Sequence, residues 1–178
     1  MALIYKYIYL FIALILITFL TYSFDKDYYS IALNRLNRYN TIRKDYVIVI
    51  DYTKNIFQER LYVINMKTKE VVISSSASHA FFSGIIIPSD YSNQLCSDKS
   101  SNGNFVTKGT YNGVFGYSMV IKGLDKGIND NAEKRKIVFH SEKKMDYLWS
   151  RGCFATPEEI NNKIINLTNN GCLVCVID

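Results

Sequence analysis

A chain of 178 residues, 48% of them hydrophobic and 21% charged, is long enough to bury one core and too apolar for a disordered tail. Two prolines, no low-complexity block and no internal repeat point to a single folded domain rather than a solenoid or a fibre. The net charge of +5 suits an anionic neighbourhood such as a membrane surface or cell-wall polymer, but the basic residues of EKRK and RKIVFH are interleaved with acidic and apolar ones, so nucleic acid is not expected as a partner.

The first element stands apart. YIYLFIALILITFLTYSF, residues 7–24, is an uncharged apolar run of 18 residues. As an α-helix it would span roughly 27 Å, close to the hydrocarbon thickness of a bilayer. Residues 1–25 are therefore expected to form a transmembrane helix that anchors the protein, with a cleaved signal segment as the alternative. Lys6 on the short N-terminal side and the lack of a second apolar span place the remaining domain outside the cytoplasm.

Within residues 26–45, Ile31, Leu33, Leu36 and Tyr39 recur at near-helical spacing, predicting a short amphipathic helix that acts as a stem between membrane and domain. YVIVIDY (46–52), RLYVINM (60–66) and VVISSSA (71–77) then read as strands, the last two joined by a KTKE turn. Residues 78–118 are rich in Gly, Ser, Asn and Asp and read as a long connection with short strands, of the kind that carries function. YSMVIKG (117–123) and KIVFH (136–140) are two further strands. A helix follows, with Thr156 as cap, Pro157 at its first position and Glu159 completing a capping box, and Asn169–Asn170–Gly171 ends it. CLVCVID closes the chain as a strand. The sum is a mostly β fold, a sandwich or barrel with one or two short helices, over residues 46–178.

Four cysteines in an exported chain invite a disulfide framework, but their positions argue against one. Cys172 and Cys175 lie three apart in a strand, on opposite faces, and read as core. Cys96 sits in a polar loop. Cys153 is different: it follows Ser150–Arg151–Gly152 and stands thirteen residues after His140, one of only two histidines. A thiol nucleophile must be shifted towards thiolate, and a nearby imidazole, Arg151 and the start of the helix at Pro157 all act in that direction. Gly152 gives close backbone access, and the amides around Cys153 can form an oxyanion hole. On the residues alone, a core cysteine and a satisfied scaffold histidine remain the alternative.

The ordered set of motifs goes further. His79 in SHAFFSG, Ser100–Ser101–Asn102–Gly103, Gly109-x-Tyr111, Gly123–Leu124, Asn129–Asp130–Asn131, I-V-x-H at 137–140 and S-x-G-C at 150–153 together resemble the murein L,D-transpeptidase catalytic domain, YkuD-like in the broad sense, over about residues 46–178. The resemblance implies acyl transfer on peptidoglycan stem peptides, with Cys153 as nucleophile and His140 as base, and with no metal or organic cofactor. It implies a pocket shaped by Ser150, Arg151, Gly152 and Ser141, and substrate contacts among His79, Ser100, Ser101, Tyr111 and Lys143. A monomer in the cell envelope, with its domain in the periplasm or extracytoplasmic space, completes the expectation. The chain departs from the family pattern at Arg151, where histidine is common, at Ser141, where glycine is, at Phe154, and in the short stretch of twelve residues between His140 and Cys153. These departures motivate the alternative of an inactive envelope domain that binds peptidoglycan. Sortases, which need an arginine after the cysteine, and papain-like enzymes, which place cysteine before histidine, fit the residue order poorly, since Arg151 is the last arginine.

Overall fold

The computed structural model describes residues 7–9, 11, 26–40, 42–142 and 148–178. The apolar run expected to cross a membrane therefore lies almost wholly outside the described residues, as does Lys143. Among the described residues no helix is long and apolar enough to cross a membrane.

Among the described residues ten strands form the frame: β1 Tyr46–Asp51, β2 Leu61–Asn65, β3 Val71–Ser75, β4 His79–Ala80, β5 Gly103–Gly113, β6 Gly116–Gly123, β7 Val138–Glu142, β8 Trp149–Ser150, β9 Phe154–Pro157 and β10 Leu173–Ile177. Eight of them make one sheet in the order β3-β2-β1-β10-β5-β6-β7-β9, and β4 pairs with β8 beside it. Helix α1, Tyr28–Leu36, and helix α2, Glu158–Thr168, cover the sheet from opposite sides.

The near-continuous apolar run of β1 follows from this two-sided cover. Ile48 and Ile50 pack with Ile164 and Ile165 of α2, with Phe105, Phe139 and Phe154 in the same core. Val47 and Val49, one residue out of phase, pack with Tyr28, Ala32 and Leu36 of α1 and with Cys175. Helix α2 touches β1, β6 and β7 and also both edge strands, β3 and β9, so the sheet curls around it into a barrel-like shell.

Four expectations are corrected. The segment taken as a stem is part of the packed domain, because α1 buries its apolar face on the sheet and Lys26 and Tyr28 hydrogen-bond the Asp51 carboxylate at 2.9 Å each. The connection at 78–118 contains an eleven-residue strand, β5, stabilised by pairing with β10 on one side and β6 on the other. Strand β7 does not stop at His140 but continues to Glu142, held by parallel pairing with β9. That pairing also draws Thr156 into the sheet, opposite Ser141, so it caps nothing. Pro157 is the cap residue, and Glu158 and Glu159 meet the positive end of the helix dipole instead.

Candidate active site

Strands β7 and β9 run side by side, with Phe139 opposite Phe154 and both rings in the core, 5.1 Å apart. Alternation along a strand then turns the residue after Phe139 and the residue before Phe154 to the other face. Those residues are His140 and Cys153. Both line one cavity of about 450 Å³, together with Phe81, Phe82, Phe115, Glu142, Trp149, Ser150 and Arg151.

The histidine is held in one tautomer. Its Nδ1 lies 3.0 Å from the carbonyl oxygen of Ser141, and a carbonyl can only accept, so Nδ1 carries the proton and Nε2 keeps its lone pair. The ring of Phe115 stacks on the imidazole at 4.5 Å. Phe115 comes from the two-residue tip of the β5–β6 hairpin, and Ser141 Oγ donates to its carbonyl at 2.8 Å, tying the tip to β7. Ser141 thus fixes His140 twice, through its own carbonyl and through the hairpin.

The cysteine is set by the turn before it. Gly152 has φ +117, and a Cβ there would stand 2.9 Å from the carbonyl oxygen of Lys99 and 3.4 Å from Nη2 of Arg135. Only glycine fits. The Cys153 carbonyl accepts from Ser150 Oγ at 2.8 Å and Ser78 Oγ at 3.1 Å. Ser78 Oγ also accepts from the Ala155 amide at 2.9 Å, so this serine stitches β9 to the approach of β4. The amide of Gly152 donates to Ser150 Oγ at 3.0 Å, which engages one of the amides around Cys153 that an oxyanion hole could use.

Burial pushes the Cys153 thiol above its ordinary range, while a backbone hydrogen bond at Val138 and the positive charge of Arg135 act in the opposite direction. The resting group is a thiol, its Sγ 3.7 Å from the Lys136 carbonyl oxygen, and it needs a base to become a nucleophile. The nearby charge is not the one expected. Arg151 has a side chain 86% exposed on the rim, at the edge of contact with Asp98 at 3.9 Å. Arg135 is half-buried, and its guanidinium donates to the carbonyls of Ser92 and Lys99 and to Ser101 Oγ, directly beneath Gly152. Nor does a helix dipole reach the sulfur, because the four residues of β9 separate Cys153 from the start of α2.

Several residues expected to touch substrate lie behind the cavity wall. His79 is wholly buried, accepting from Arg60 Nη2 at Nδ1, 2.8 Å, and donating from Nε2 to the Gly84 carbonyl, 2.7 Å. Burial pushes its pKa down to about 4, with Arg60 acting the same way. Ser100 is buried and accepts from the Ala80 amide at 2.8 Å, and buried Ser101 donates to the Ser92 carbonyl at 2.9 Å. Tyr111 is exposed on the β5 arm of the hairpin and takes no part in the cavity lining. Conversely, the sequence reading missed Ser78, Arg135, Glu142 and the aromatic rim of Phe81, Phe82, Phe115 and Trp149. Arg135 hides in the charged run EKRK, and Ser78 among the serines of SSSAS; neither pattern distinguishes a buried side chain from a solvated one.

The other cysteines are free thiols without such a setting. Burial pushes both Cys172 and Cys175 up to about 12, and both belong to the interior. Among the described residues no group of three or more His, Cys, Asp or Glu side chains is placed to hold a metal.

The family profile of the L,D-transpeptidase catalytic domain matches residues 21–176. No curated protein matches the chain. Among solved structures, an L,D-transpeptidase from Mycobacterium smegmatis is similar at 11% identity and a TM-score of 0.48, covering 75% of this chain and 59% of that one. One from Mycobacterium tuberculosis H37Rv is similar at 15% identity and a TM-score of 0.49, covering 75% of this chain and 58% of that one. A fused Zn-dependent amidase/peptidase/peptidoglycan-binding domain-containing protein from Clostridium acetobutylicum reaches a TM-score of 0.50 at 15% identity, covering 83% of this chain and 59% of that one, a likeness of fold. The chain thus spans less than two thirds of the length of each.

Proposed function

The chain belongs to the L,D-transpeptidase catalytic domain family, and on that premise we propose that it is a cysteine acyltransferase acting on peptidoglycan stem peptides outside the cytoplasm. The observation that carries this reading is the fixed tautomer of His140, whose Nε2 lone pair and the Cys153 thiol share one cavity. Nε2 takes the thiol proton as Sγ bonds to the carbonyl carbon that joins the third stem residue, at its L-centre, to a terminal D-amino acid. The oxyanion of the tetrahedral adduct is met by the Cys153 amide, the donor of this turn that Ser150 does not engage. The adduct collapses by breaking the C–N bond, the His140 proton passes to the departing amine, and a thioester remains on Cys153. An amine from a second stem, or water, then attacks the thioester, giving up its proton to Nε2. The thiolate leaves and is reprotonated from His140, so the cycle closes without net proton change at the site.

Arg151, exposed on the rim, is the proposed partner for a stem carboxylate, with Lys143 as a second candidate. The apolar run at 7–24 anchors the domain to the membrane in this reading.

Digestion of cell wall incubated with the protein, followed by mass spectrometry of the muropeptides, tests the proposal. Stem-to-stem cross-links between third residues, or shortened stems, are expected with the native protein and absent with Cys153→Ala. Identical muropeptides in both would reduce the domain to a peptidoglycan-binding module.

A further inference from the structure

Resting on the anchor reading above, we infer that the domain lies with its catalytic rim against the lipid bilayer, through an apolar apron formed by two loops. Six large apolar side chains, Phe57, Phe81, Phe82, Ile85, Ile86 and Ile87, are each 45–68% exposed. Scattered exposed hydrophobics need no explanation, but six from two touching loops do. The loops touch through the Ile56 amide, which donates to the Ile86 carbonyl at 2.9 Å.

The apron is built to stay out. His79 Nε2 holds the Gly84 carbonyl from inside. Gly84, at φ +147, approaches the Ile87 carbonyl so closely that a Cβ would stand 2.3 Å from its oxygen. Trp149 Nε1 donates to the Ile85 carbonyl at 2.9 Å, and Phe81 meets the indole edge-on at 5.6 Å. These restraints keep the isoleucines from folding back onto the core.

The point where the chain leaves its apolar run selects the bilayer as occupant. One residue, Asp25, separates Phe24, the last of the run, from Lys26. Lys26 is fixed to the domain by hydrogen bonds from Nζ to Asp51 and Thr53. Thr53 opens the loop that carries Phe57, and that loop bonds the Ile85–Ile87 loop. Chain exit and apron therefore share the end of the molecule where β1 terminates. If the apolar run anchors the chain, its end one residue before Lys26 holds that end of the domain at the membrane, where the net charge of +5 favours anionic lipid. Phe81, Phe82 and Trp149 also form the cavity rim, so the cleft opens along the bilayer surface and meets stems presented there.

Trp149 is the single tryptophan of the chain, which makes the orientation directly readable. The full-length protein is reconstituted into phosphatidylglycerol–phosphatidylethanolamine vesicles that carry a nitroxide on the lipid acyl chain, either near the headgroup or at the chain end. Quenching of Trp149 emission by about twofold is expected from the shallow nitroxide and much less from the deep one, as for an interfacial aromatic. The double variant Phe57→Ser, Ile86→Ser is expected to lose most of that quenching while its Cys153 still acylates with a carbapenem, which reports an intact fold. Vesicle-bound protein whose Trp149 is insensitive to both nitroxides overturns the inference and leaves the acyltransferase reading in place; so would equal quenching in the variant. Protein that fails to float with the vesicles overturns the anchor and the inference together. Normal quenching with an unreactive Cys153 supports the orientation and counts against the enzyme.

Discussion

Arg135 sits in the charged run EKRK, and the fold places it beneath Gly152, beside Cys153. Its positive charge lowers the cost of a thiolate that burial otherwise raises. Arg135→Gln is therefore expected to move the alkaline limb of the Cys153 alkylation profile to higher pH, and Arg135→Lys to restore part of it; the rate of iodoacetamide labelling against pH measures both. An unchanged profile would leave Arg135 with only its hydrogen bonds to Ser92, Lys99 and Ser101. Gly152 gives a second check. A methyl group there meets the Lys99 carbonyl at an L-unfriendly φ, so Gly152→Ala should cost about 1–3 kcal/mol in urea unfolding and slow acylation of Cys153 more than that loss of stability accounts for. That His140 and Cys153 stand together was legible because histidine is rare in this chain and a glycine–cysteine pair before a helix is unusual. The supporting residues were not, because serines and arginines acquire meaning only from the chain segments that pack on them.

At the level of elements, the strand that carries His140 was legible from alternation but its end was not, and the strand that follows Cys153 was not legible at all. Local signals at Thr156, Pro157 and Glu159 spelled a capping box, and long-range pairing of β9 with β7 overrode them. The outcome leaves Thr156 Oγ1 buried without a hydrogen-bond partner among the described residues. Thr156→Val is accordingly expected to leave stability unchanged or raise it, by up to about 1 kcal/mol, whereas loss of a true cap would lower it by about as much. Thermal unfolding separates the two signs. The β5–β6 hairpin makes the complementary point. The glycines and asparagines of 102–113 suggested a loop with short strands, yet pairing on both sides made one long strand, and the tip of its hairpin delivers Phe115 onto His140. Ser141→Ala removes the hydroxyl that ties this tip to β7. On the proposed function, turnover is expected to fall several-fold while the affinity for stem peptide changes little, since Ser141 holds His140 and is not part of the cavity lining.

Across the whole molecule, one sheet covered on both faces explains why Val47–Ile50 of β1 and all of β10 read as continuous apolar runs and why residues from 26 onwards pack with the domain. The buried pair of Arg60 and His79 ties this shell to the rim. In the folded state His79 must remain neutral, because Nδ1 accepts from a guanidinium and a second proton there would set donor against donor. Its folded pKa of about 4 lies below the ordinary 6.5, so between those values the unfolded chain binds a proton that the folded chain refuses. Stability from this group is complete above pH 6.5 and is lost as pH falls towards 4, on the order of 3 kcal/mol in all. The stability difference between native protein and His79→Gln across that pH window checks the sign: the native protein should lose its advantage on the acid side. The loss should begin at the rim, since His79 Nε2 also holds Gly84.

The most direct measurement is intact-protein mass spectrometry after incubation with a carbapenem, comparing the native protein with His140→Gln and Cys153→Ala. A single covalent adduct on Cys153 is expected, formed about 100-fold or more slowly without the imidazole and not at all without the sulfur. An adduct that forms equally fast in His140→Gln, or none in the native protein, would contradict the pairing of thiol and base on which the account depends.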